Sequence, residues 1–132
     1  MAARIAKAHA WLVVEDADGV FGYAYAGPAK ERAAYRWACE VSVYLATGRR
    51  RTGAGRALYE TLFAELEARG FLTVIAGMTE PNPASDGLHR ALGFTPVGTY
   101  ARIGFKDGAW HDVTWFQKDL VTPRPAPPPE PR

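Results

Sequence analysis

The feature of this sequence that most constrains its fold lies between residues 39 and 70, where a strand pattern, a glycine-rich turn and a helix pattern follow one another. The strand pattern "CEVSVYLAT" alternates, with Val41, Val43 and Leu45 on one face. The turn "GRRRTGAG" carries three arginines, and apolar residues then recur at helical spacing until Gly70, a natural C-cap. A strand that passes through a short turn into a helix predicts a sheet whose helices cross over between neighbouring strands.

The other patterns extend this unit into a mixed sheet. "WLVVEDADGVFGYAYAG" predicts a hairpin that turns at Asp16–Gly19, and "FLTVIAGM" predicts a central strand. "PNPASDGLHRALG" predicts a short helix with Ser85 or Asp86 as its N-cap and Gly93 as its end. "FTPVGTYARIGFKDGAWHDVTWFQKDL" predicts a second hairpin, which turns at Asp107-Gly108. The order strand, strand, connection, strand, helix, strand, helix, strand, strand predicts a mixed α/β (α+β) sheet.

The composition is that of one globular domain. The chain has 132 residues, of which 48% are apolar and 23% charged, which is enough for a single core. We expect one domain over residues 1–120 and a disordered, polyproline-like tail over residues 121–132, because "TPRPAPPPEPR" cannot pack a core. The net charge of +2 comes from interspersed acidic and basic residues, so it does not favour nucleic acid or an anionic membrane as a partner.

Cysteine and histidine usage argues against disulfide and metal chemistry. Cys39 is the only cysteine, which excludes an intrachain disulfide and a cysteine-cluster metal site and suits a reducing compartment. His9, His89 and His111 show no metal-ligand spacing, and we expect no metal. No apolar run reaches the ~18–20 residues of a membrane-spanning helix. No signal-peptide pattern opens the chain, and we expect a cytoplasmic protein.

The glycine-rich turn is open to two interpretations. A strand, a glycine turn and a helix N-terminus together can bind phosphate through backbone N–H groups, and Gly53 and Gly55 would let the backbone approach the anion closely. A P-loop needs four residues between its glycines, whereas one separates these. The dinucleotide fingerprint needs a third glycine where Leu58 stands. Spacing alone therefore leaves a phosphate cradle and a plain turn with solvated arginines both open.

Four segments together resemble a known family. "RRTGAG" is similar to the Arg/Gln-x-x-Gly-x-Gly/Ala signature of the GNAT superfamily of acetyl-CoA-dependent N-acetyltransferases, and "PNPASDGLHRALGF" is similar to its later Asn-and-helix motif. With "AYAGPAKERAAYRWACEVSVYL" and "GFKDGAWHDVTWFQKDL", the chain from Trp11 to Leu120 resembles the phosphinothricin and methionine sulfoximine acetyltransferases. The resemblance implies the GNAT acyl-CoA N-acyltransferase fold, acetyl-CoA as co-substrate, a small-molecule amine acceptor, a homodimer, and herbicide resistance through acetylation of phosphinothricin.

Two residues are candidates for proton transfer. An amine must lose a proton before it attacks a thioester, and the departing thiolate must be stabilised or protonated. Glu40 is the only acidic residue in its apolar strand, which by itself indicates either an edge position or a functional one, and the resemblance implies the catalytic base. His89 stands where most of the superfamily has a tyrosine proposed as the acid. The resemblance implies a candidate acid or positioning group there, and the plain alternative is a surface helical histidine.

The resemblance also implies the binding residues. Those for the cofactor are Val43, Tyr44, Leu45, Arg51, Thr52, Gly53, Ala54, Gly55, Arg56 and Asn82. A backbone N–H near Tyr44 would face the thioester carbonyl and stabilise the developing oxyanion. Those for the substrate are Lys30, Arg32 and Tyr35, because an acceptor with a carboxylate and a phosphinate or sulfoximine needs cations and donors. Taken without the resemblance, Lys30 and Arg32 are solvated charges and Asn82 is a turn residue.

Two departures from the family pattern affect these expectations. Ala29 stands where the family has a bulky aromatic residue, so we expect a wider substrate pocket or a shifted preference. The superfamily fold begins with a strand and two helices, of which residues 1–10 resemble only the end. We therefore expect an N-terminally truncated fold with exposed apolar surface, or a partner that covers it. Two alternatives stay open: a GNAT enzyme with another amine acceptor, and a non-catalytic acetyl-CoA-binding or dimerisation module. The role of His111 is unassigned.

Overall fold

The computed structural model describes residues 4–8, 11–30, 32–46 and 53–132. Within these ranges lie seven β-strands, two α-helices and one 3-10 turn. They are β1 (Arg4–Ala8), β2 (Trp11–Asp16), β3 (Gly19–Pro28), the 3-10 turn (Ala33–Tyr35), β4 (Ala38–Leu45), α1 (Ala54–Ala68), β5 (Thr73–Thr79), α2 (Pro83–Ala91), β6 (Thr95–Lys106) and β7 (Ala109–Asp119). The predicted strands and helices are all present and the mixed α/β fold class is confirmed. β1 is an addition, because its five residues are too short for a recognisable pattern.

The strands form a single mixed sheet in the order β1-β2-β3-β4-β5-β7-β6. All neighbours are antiparallel except β4 and β5, which are parallel and joined by the α1 crossover. Their pairing covers only Ala38↔Thr73, Cys39↔Val74 and Glu40↔Ile75. β4 then continues to Leu45, paired with β3 on its other side. The sheet therefore has an opening between β4 and β5 that begins just beyond Glu40.

Both helices pack on the same face of the sheet. α1 buries Leu58, Tyr59, Leu62 and Leu66 against alternate residues of β2, β3 and β4. Burial of this kind stabilises the fold by about 1.5–3 kcal/mol for each large apolar side chain. The buried hydrophobic strand positions are Leu12, Val14, Ala24, Cys39, Val41, Val74, Ala76, Met78 and Phe116. Alternation along each strand therefore sends the intervening residues, Glu40 and Tyr44 among them, to the opposite face.

The opposite face of β2, β3 and β4 carries an aromatic cluster. Trp11 stacks on Tyr25 with ring centroids 4.9 Å apart, and Tyr23 stacks on Tyr44 at 5.5 Å. Trp11 remains 44% exposed and Tyr44 52% exposed. Aromatic pairs across neighbouring strands stabilise a sheet, so this cluster holds the three strands together on the side away from the helices.

The start of α2 corrects one expectation. The N-cap is Asn82, whose side-chain oxygen accepts a hydrogen bond from the Ser85 backbone N–H at 3.1 Å. The sequence pattern placed the cap at Ser85 or Asp86, which was wrong by about one turn. Pro83 explains the difference, because proline is tolerated at the first helical position, where its missing N–H would have no intrahelical partner.

The second hairpin turns where the sequence predicted it. Asp107 and Gly108 join β6 to β7 with φ values of 52° and 77°. A two-residue turn with both residues in the left-handed region matches the twist of the flanking strands, and Asp-Gly is a favoured pair for it. The hairpin carries β6 to the edge of the sheet, beyond β7.

Residues 121–132 contain no helix or strand and lie against the C-terminal end of α1. The Trp37 indole N–H donates to the carbonyl oxygen of Pro129 at 2.7 Å. The backbone N–H of Arg132 donates to the carbonyl oxygen of Arg69 at 2.6 Å. The second contact uses the carbonyl group of the C-cap residue of α1, which the end of a helix leaves without an intrahelical partner. The disorder predicted for this tail stays a prediction.

Candidate active site

A groove of about 520 Å³ lies at the opening between β4 and β5. Its walls come from the end of β4, the first turn of α1 and the first turns of α2. Seven of the ten predicted cofactor residues line it: Val43, Tyr44, Leu45, Gly53, Gly55, Arg56 and Asn82. Ala54 lies at the start of α1 between two of them, while Arg51 and Thr52 lie outside the described residues. The fold thus brings together residues that are up to 39 positions apart in the chain (from Val43 to Asn82).

Both α-helices begin at this groove, so their N-termini face it. Gly53 is the N-cap of α1, with φ of 85°, and it has no side chain to cap the first-turn N–H groups. The first turn of α1 contains no acidic residue. A helix N-terminus that presents N–H groups and the positive end of its dipole favours an anion such as a phosphate. Arg56 adds a positive charge, although it is also 3.6 Å from Glu60 on the next turn, an exposed pair of little energetic weight.

Gly55 has a different role from Gly53. It is buried, and a Cβ added to it would lie 3.3 Å from Leu88 Cδ2 and 3.4 Å from Leu45 Cδ1. The absence of a side chain therefore lets the start of α1 approach both β4 and α2 closely. Gly53 supplies the left-handed backbone that the turn requires, whereas Gly55 sets how close the three walls of the groove come together.

Asn82 combines a structural contact with a free donor group. Its side-chain oxygen caps α2, so the amide nitrogen is the atom that it can offer to a ligand in the groove. The two interpretations of Asn82, as a turn residue and as a binding residue, are therefore compatible.

Glu40 lines a second cavity of about 520 Å³. The side chain is half-buried in β4, at the last residue pair before the sheet opens. The cavity is also lined by Ala29 and Lys30 from the end of β3, Ile75 from β5, Val97, Gly98, Thr99 and Tyr100 from β6, and Trp115 from β7. Three residues along a strand span about 10 Å, so Glu40 is about 10 Å along β4 from Val43 in the groove. A single small molecule can span that distance.

The structure divides the three predicted substrate residues. Lys30 lines the cavity of Glu40. Arg32 and Tyr35 instead line a third cavity, of about 530 Å³, on the α1 side of the sheet, which Lys30 also borders. Cys39 lies in that third cavity, where burial raises the pKa of its thiol to about 11, so it is an inert apolar side chain at neutral pH. Among the described residues, Arg32 and Tyr35 are not brought to Glu40.

His89 is buried in the core between α2, α1 and the sheet. Its Nδ1 lies 2.7 Å from the carbonyl oxygen of Ser85, and its Nε2 lies 3.2 Å from the Tyr59 hydroxyl. A carbonyl only accepts, so we assign the proton to Nδ1 and let Nε2 accept from Tyr59. The ring also stacks on Phe116 at 5.4 Å. Both ring nitrogens therefore have protein partners, and of the two roles predicted for His89 this geometry favours the positioning one.

Acid is expected to destabilise the protein through His89. Burial lowers the pKa of this imidazole from its ordinary value of 6.5, outweighing the opposite effects of Ser85 and Asp86. The unfolded chain then binds more protons than the folded one, so the free energy of unfolding falls as the pH drops below 6.5 towards the lowered folded-state pKa. In urea unfolding between about pH 7.5 and 5.5, His89→Gln is expected to make the free energy of unfolding decline less steeply as the pH falls, by at most about 1.4 kcal/mol per pH unit. Equal slopes in the two proteins would contradict this.

Several residues of the Glu40 cavity were not found from the sequence. Val97, Thr99, Tyr100 and Trp115 come from β6 and β7, far along the chain from Glu40. Trp115 reaches the cavity because it is paired with Gly77 in β5, where a Cβ would lie 3.1 Å from the indole ring. A glycine inside an otherwise apolar strand is the signal that could have indicated a large side chain lying across it.

His111 has a structural position in the second hairpin. Its Nδ1 lies 3.1 Å from the carbonyl oxygen of Glu80, and its Nε2 lies 3.0 Å from that of Lys106. These contacts join the tip of the hairpin to the segment that follows β5. Among the described residues no group of three or more His, Cys, Asp or Glu is arranged to hold a metal ion. No helix among them is long and apolar enough to cross a membrane.

The sheet opens between β4 and β5 beside a glycine turn, and the N-termini of both helices lie at the opening. The Glu40 carboxylate is at the last paired position before it. This arrangement is that of the acyl-CoA-dependent acyltransferase folds. The acetyltransferase (GNAT) domain family matches residues 1–115, and the chain belongs to this family. It is 44% identical to a phosphinothricin N-acetyltransferase of Streptomyces viridochromogenes over 97% of this chain and 70% of the relative. It is 37% identical to an L-methionine sulfoximine/L-methionine sulfone acetyltransferase of Pseudomonas paraeruginosa, over 95% and 73%.

Solved structures show the same fold. A phosphinothricin acetyltransferase of Sinorhizobium meliloti in complex with acetyl-CoA superposes with a TM-score of 0.78 and 41% identity, over 83% of this chain and 60% of that one. The chain thus spans less than two thirds of that solved protein and about seven tenths of the two curated relatives.

Proposed function

We propose that this chain transfers an acetyl group from acetyl-CoA to the α-amino group of a small amino-acid-like acceptor, as the names of its relatives suggest. The observation that carries the proposal is that Glu40, in its own cavity, is the last β4 residue paired with β5, three residues before Val43 in the groove formed by the two helix N-termini. Phosphinothricin and methionine sulfoximine or sulfone are the acceptors to try first, because the relatives are named for them.

The groove residues account for binding of the co-substrate. The first turn of α1, with Gly53, Gly55 and Arg56, is the part that would hold the pyrophosphate, because N–H groups and a positive dipole end favour phosphate oxygens. The end of β4 has no β5 partner beyond Glu40, so its backbone is open to hydrogen bonds with the amide groups of the pantetheine arm. Asn82 offers its amide nitrogen from the opposite wall. Arg51 and Thr52, outside the described residues, stay part of the proposal.

Glu40 accounts for the proton transfer that the reaction needs. An α-ammonium group has a reference pKa of about 7.7–8.0, so at neutral pH it must lose a proton before it attacks. Glu40 takes that proton, directly or through a water. The amine nitrogen then attacks the acetyl carbon and the carbon–sulfur bond breaks. The second proton that the nitrogen loses as it becomes an amide passes to the departing thiolate, directly or through a water, so that coenzyme A leaves as the thiol. The backbone N–H near Tyr44 stabilises the oxyanion, and His89 acts by positioning α2.

The test combines binding and turnover. Calorimetry with acetyl-CoA is expected to give a 1:1 complex, and thiol release is expected only when acetyl-CoA and a primary amino acid are both present. Binding without thiol release from any acceptor would instead favour a non-catalytic acetyl-CoA-binding module. If other amines are acetylated and amino acids are not, the result would favour a GNAT enzyme with another acceptor.

We also propose that the chain forms a cytoplasmic homodimer and that acetylation of phosphinothricin would confer herbicide resistance. Support for self-association comes from β6 and β7, where large apolar side chains are exposed at the sheet edge: Val97, Tyr100, Ile103, Phe105 and Trp110, each 59–62% exposed. Among the described residues β6 is the edge strand of the sheet, and apolar side chains exposed on an edge strand favour association. Light scattering is expected to give twice the monomer mass, and Ile103→Lys is expected to lower it; a monomer at micromolar concentration would contradict the dimer.

A further inference from the structure

The charges around Glu40 limit which acceptor fits there. Among the described residues that line its cavity, Glu40 is the single acidic side chain and Lys30 the single basic one. The remaining lining is neutral. Gly27 pairs with Glu40 across β3 and β4, and Lys30 follows three residues later, so the two charged residues come from neighbouring segments that border the same cavity.

An α-amino acid matches this pair of charges. Its amino group meets Glu40 and its carboxylate meets Lys30, which leaves no further cation among the described lining residues for a second anion on the acceptor. Arg32, the next cation along the chain, lines the third cavity on the other side of the sheet. An anionic group placed against a neutral, largely apolar wall loses hydration without gaining a charged partner, so a second anionic group on the acceptor weakens binding.

The opposite wall receives the acceptor's side chain. Ile75 stands beside Glu40 on β5, and Val97, Tyr100 and Trp115 on β6 and β7 form the wall beyond it, which presents apolar and aromatic surface. Trp115 is held in place by its contact with Gly77. Ala29 borders the same cavity with only a methyl group, and its backbone N–H donates to the Ala38 carbonyl oxygen at 3.3 Å. A small residue at this position leaves room for a large side chain.

We infer that the acceptor is an α-amino acid with a neutral, largely apolar side chain, favoured over a substrate that carries a second negative charge. This rests on the proposed acetyl transfer and specifies its substrate class. Phenylalanine and methionine sulfone belong to the favoured class, whereas phosphinothricin, with its carboxylate and phosphinate, belongs to the disfavoured one.

The first experiment compares kcat/KM for phenylalanine, methionine sulfone and phosphinothricin with the unmodified protein. The neutral acceptors are expected to exceed phosphinothricin by about tenfold or more, the ratio expected when one polar or charged group of the acceptor has no partner in the site. A higher kcat/KM for phosphinothricin would overturn this inference while leaving the proposed acetyl transfer standing. No turnover with any of the three would contradict both.

The second experiment tests the two residues that distinguish the cavity. Lys30→Met is expected to raise KM for phenylalanine about tenfold and to leave phenethylamine, which lacks the carboxylate, unchanged. Lys106→Met, on the exposed hairpin, is the matched control. Ala29→Trp is expected to lower kcat/KM for phenylalanine far more than for alanine, whereas Ala34→Trp, on the same connection outside the cavity, leaves the ratio unchanged. Equal losses for both acceptors in Ala29→Trp would overturn the placement of the side chain.

Discussion

Glu40→Gln is expected to lower kcat by about 10²–10⁴-fold, the range typical of a lost general base. The amide keeps the size of the side chain and the position in β4 but cannot take up the proton of the acceptor's ammonium group. Because Glu40 lines the acceptor cavity and not the groove, affinity for acetyl-CoA is expected to stay within about twofold. Single-turnover thiol release and calorimetry with acetyl-CoA measure the two effects separately.

Glu67→Gln is the matched control, because Glu67 is exposed on α1 and borders neither cavity. It removes the same charge without touching the site, and kcat is expected to be unchanged. Raising the pH is a further check. A more alkaline buffer deprotonates the acceptor without help, so the deficit of Glu40→Gln is expected to shrink above about pH 8. A deficit that is constant with pH, or a parallel loss of acetyl-CoA binding, would count against Glu40 as the base.

Gly22→Ala is expected to lower the free energy of unfolding by about 1–3 kcal/mol, the usual cost of overpacking a core. A Cβ at this position in β3 would lie 2.6 Å from Leu45 Cδ2 and 2.9 Å from the backbone oxygen of Tyr44. The Leu45 side chain can rotate away, but the Tyr44 oxygen moves only with its strand. The end of β4 would therefore shift, and acetyl-CoA affinity is expected to fall together with stability.

Gly104→Ala separates this steric effect from the general consequences of replacing glycine in a strand. Gly104 lies in β6, and an added Cβ there meets nothing within 4 Å. Urea unfolding is expected to show a lower midpoint for Gly22→Ala at an unchanged m value, with little change for Gly104→Ala. Equal midpoints for the two variants would show that β4 accommodates the methyl group.

The local patterns of the sequence were sufficient for most of the secondary structure. Hairpins and strands follow a two-residue period, α1 follows a 3.6-residue period, and Asp107-Gly108 is a turn by its own backbone preferences. The start of α2 was misplaced because several adjacent residues are acceptable caps, and the contact that decides among them is the one from Asn82 to Ser85. β1 was missed because its pattern is short and its support comes from pairing with β2.

The two halves of the site differ in how far the sequence could predict them. The groove is built from short linear segments, each next to a glycine or a helix start, so its residues could be named from a motif. The Glu40 cavity depends on β5–β7 and β6–β7 pairing, which brings Tyr100 and Trp115 to the same cavity as Glu40, a residue 60 and 75 positions earlier in the chain (100 − 40 and 115 − 40). Nothing in the local pattern of β6 or β7 indicates which face of the sheet will hold Glu40.

The sequence by itself determined the order of elements, the glycine turn before α1 and the carboxylate in β4, because these depend on neighbours within a few residues. The tertiary structure decided that β4 and β5 stop pairing just beyond Glu40, that Lys30 accompanies Glu40 while Arg32 does not, and that His89 lies in the core with Tyr59. Strand pairing and side-chain packing bring together residues that are remote in the chain. These contacts contribute to stability only once the sheet has formed, so no local sequence pattern reveals them.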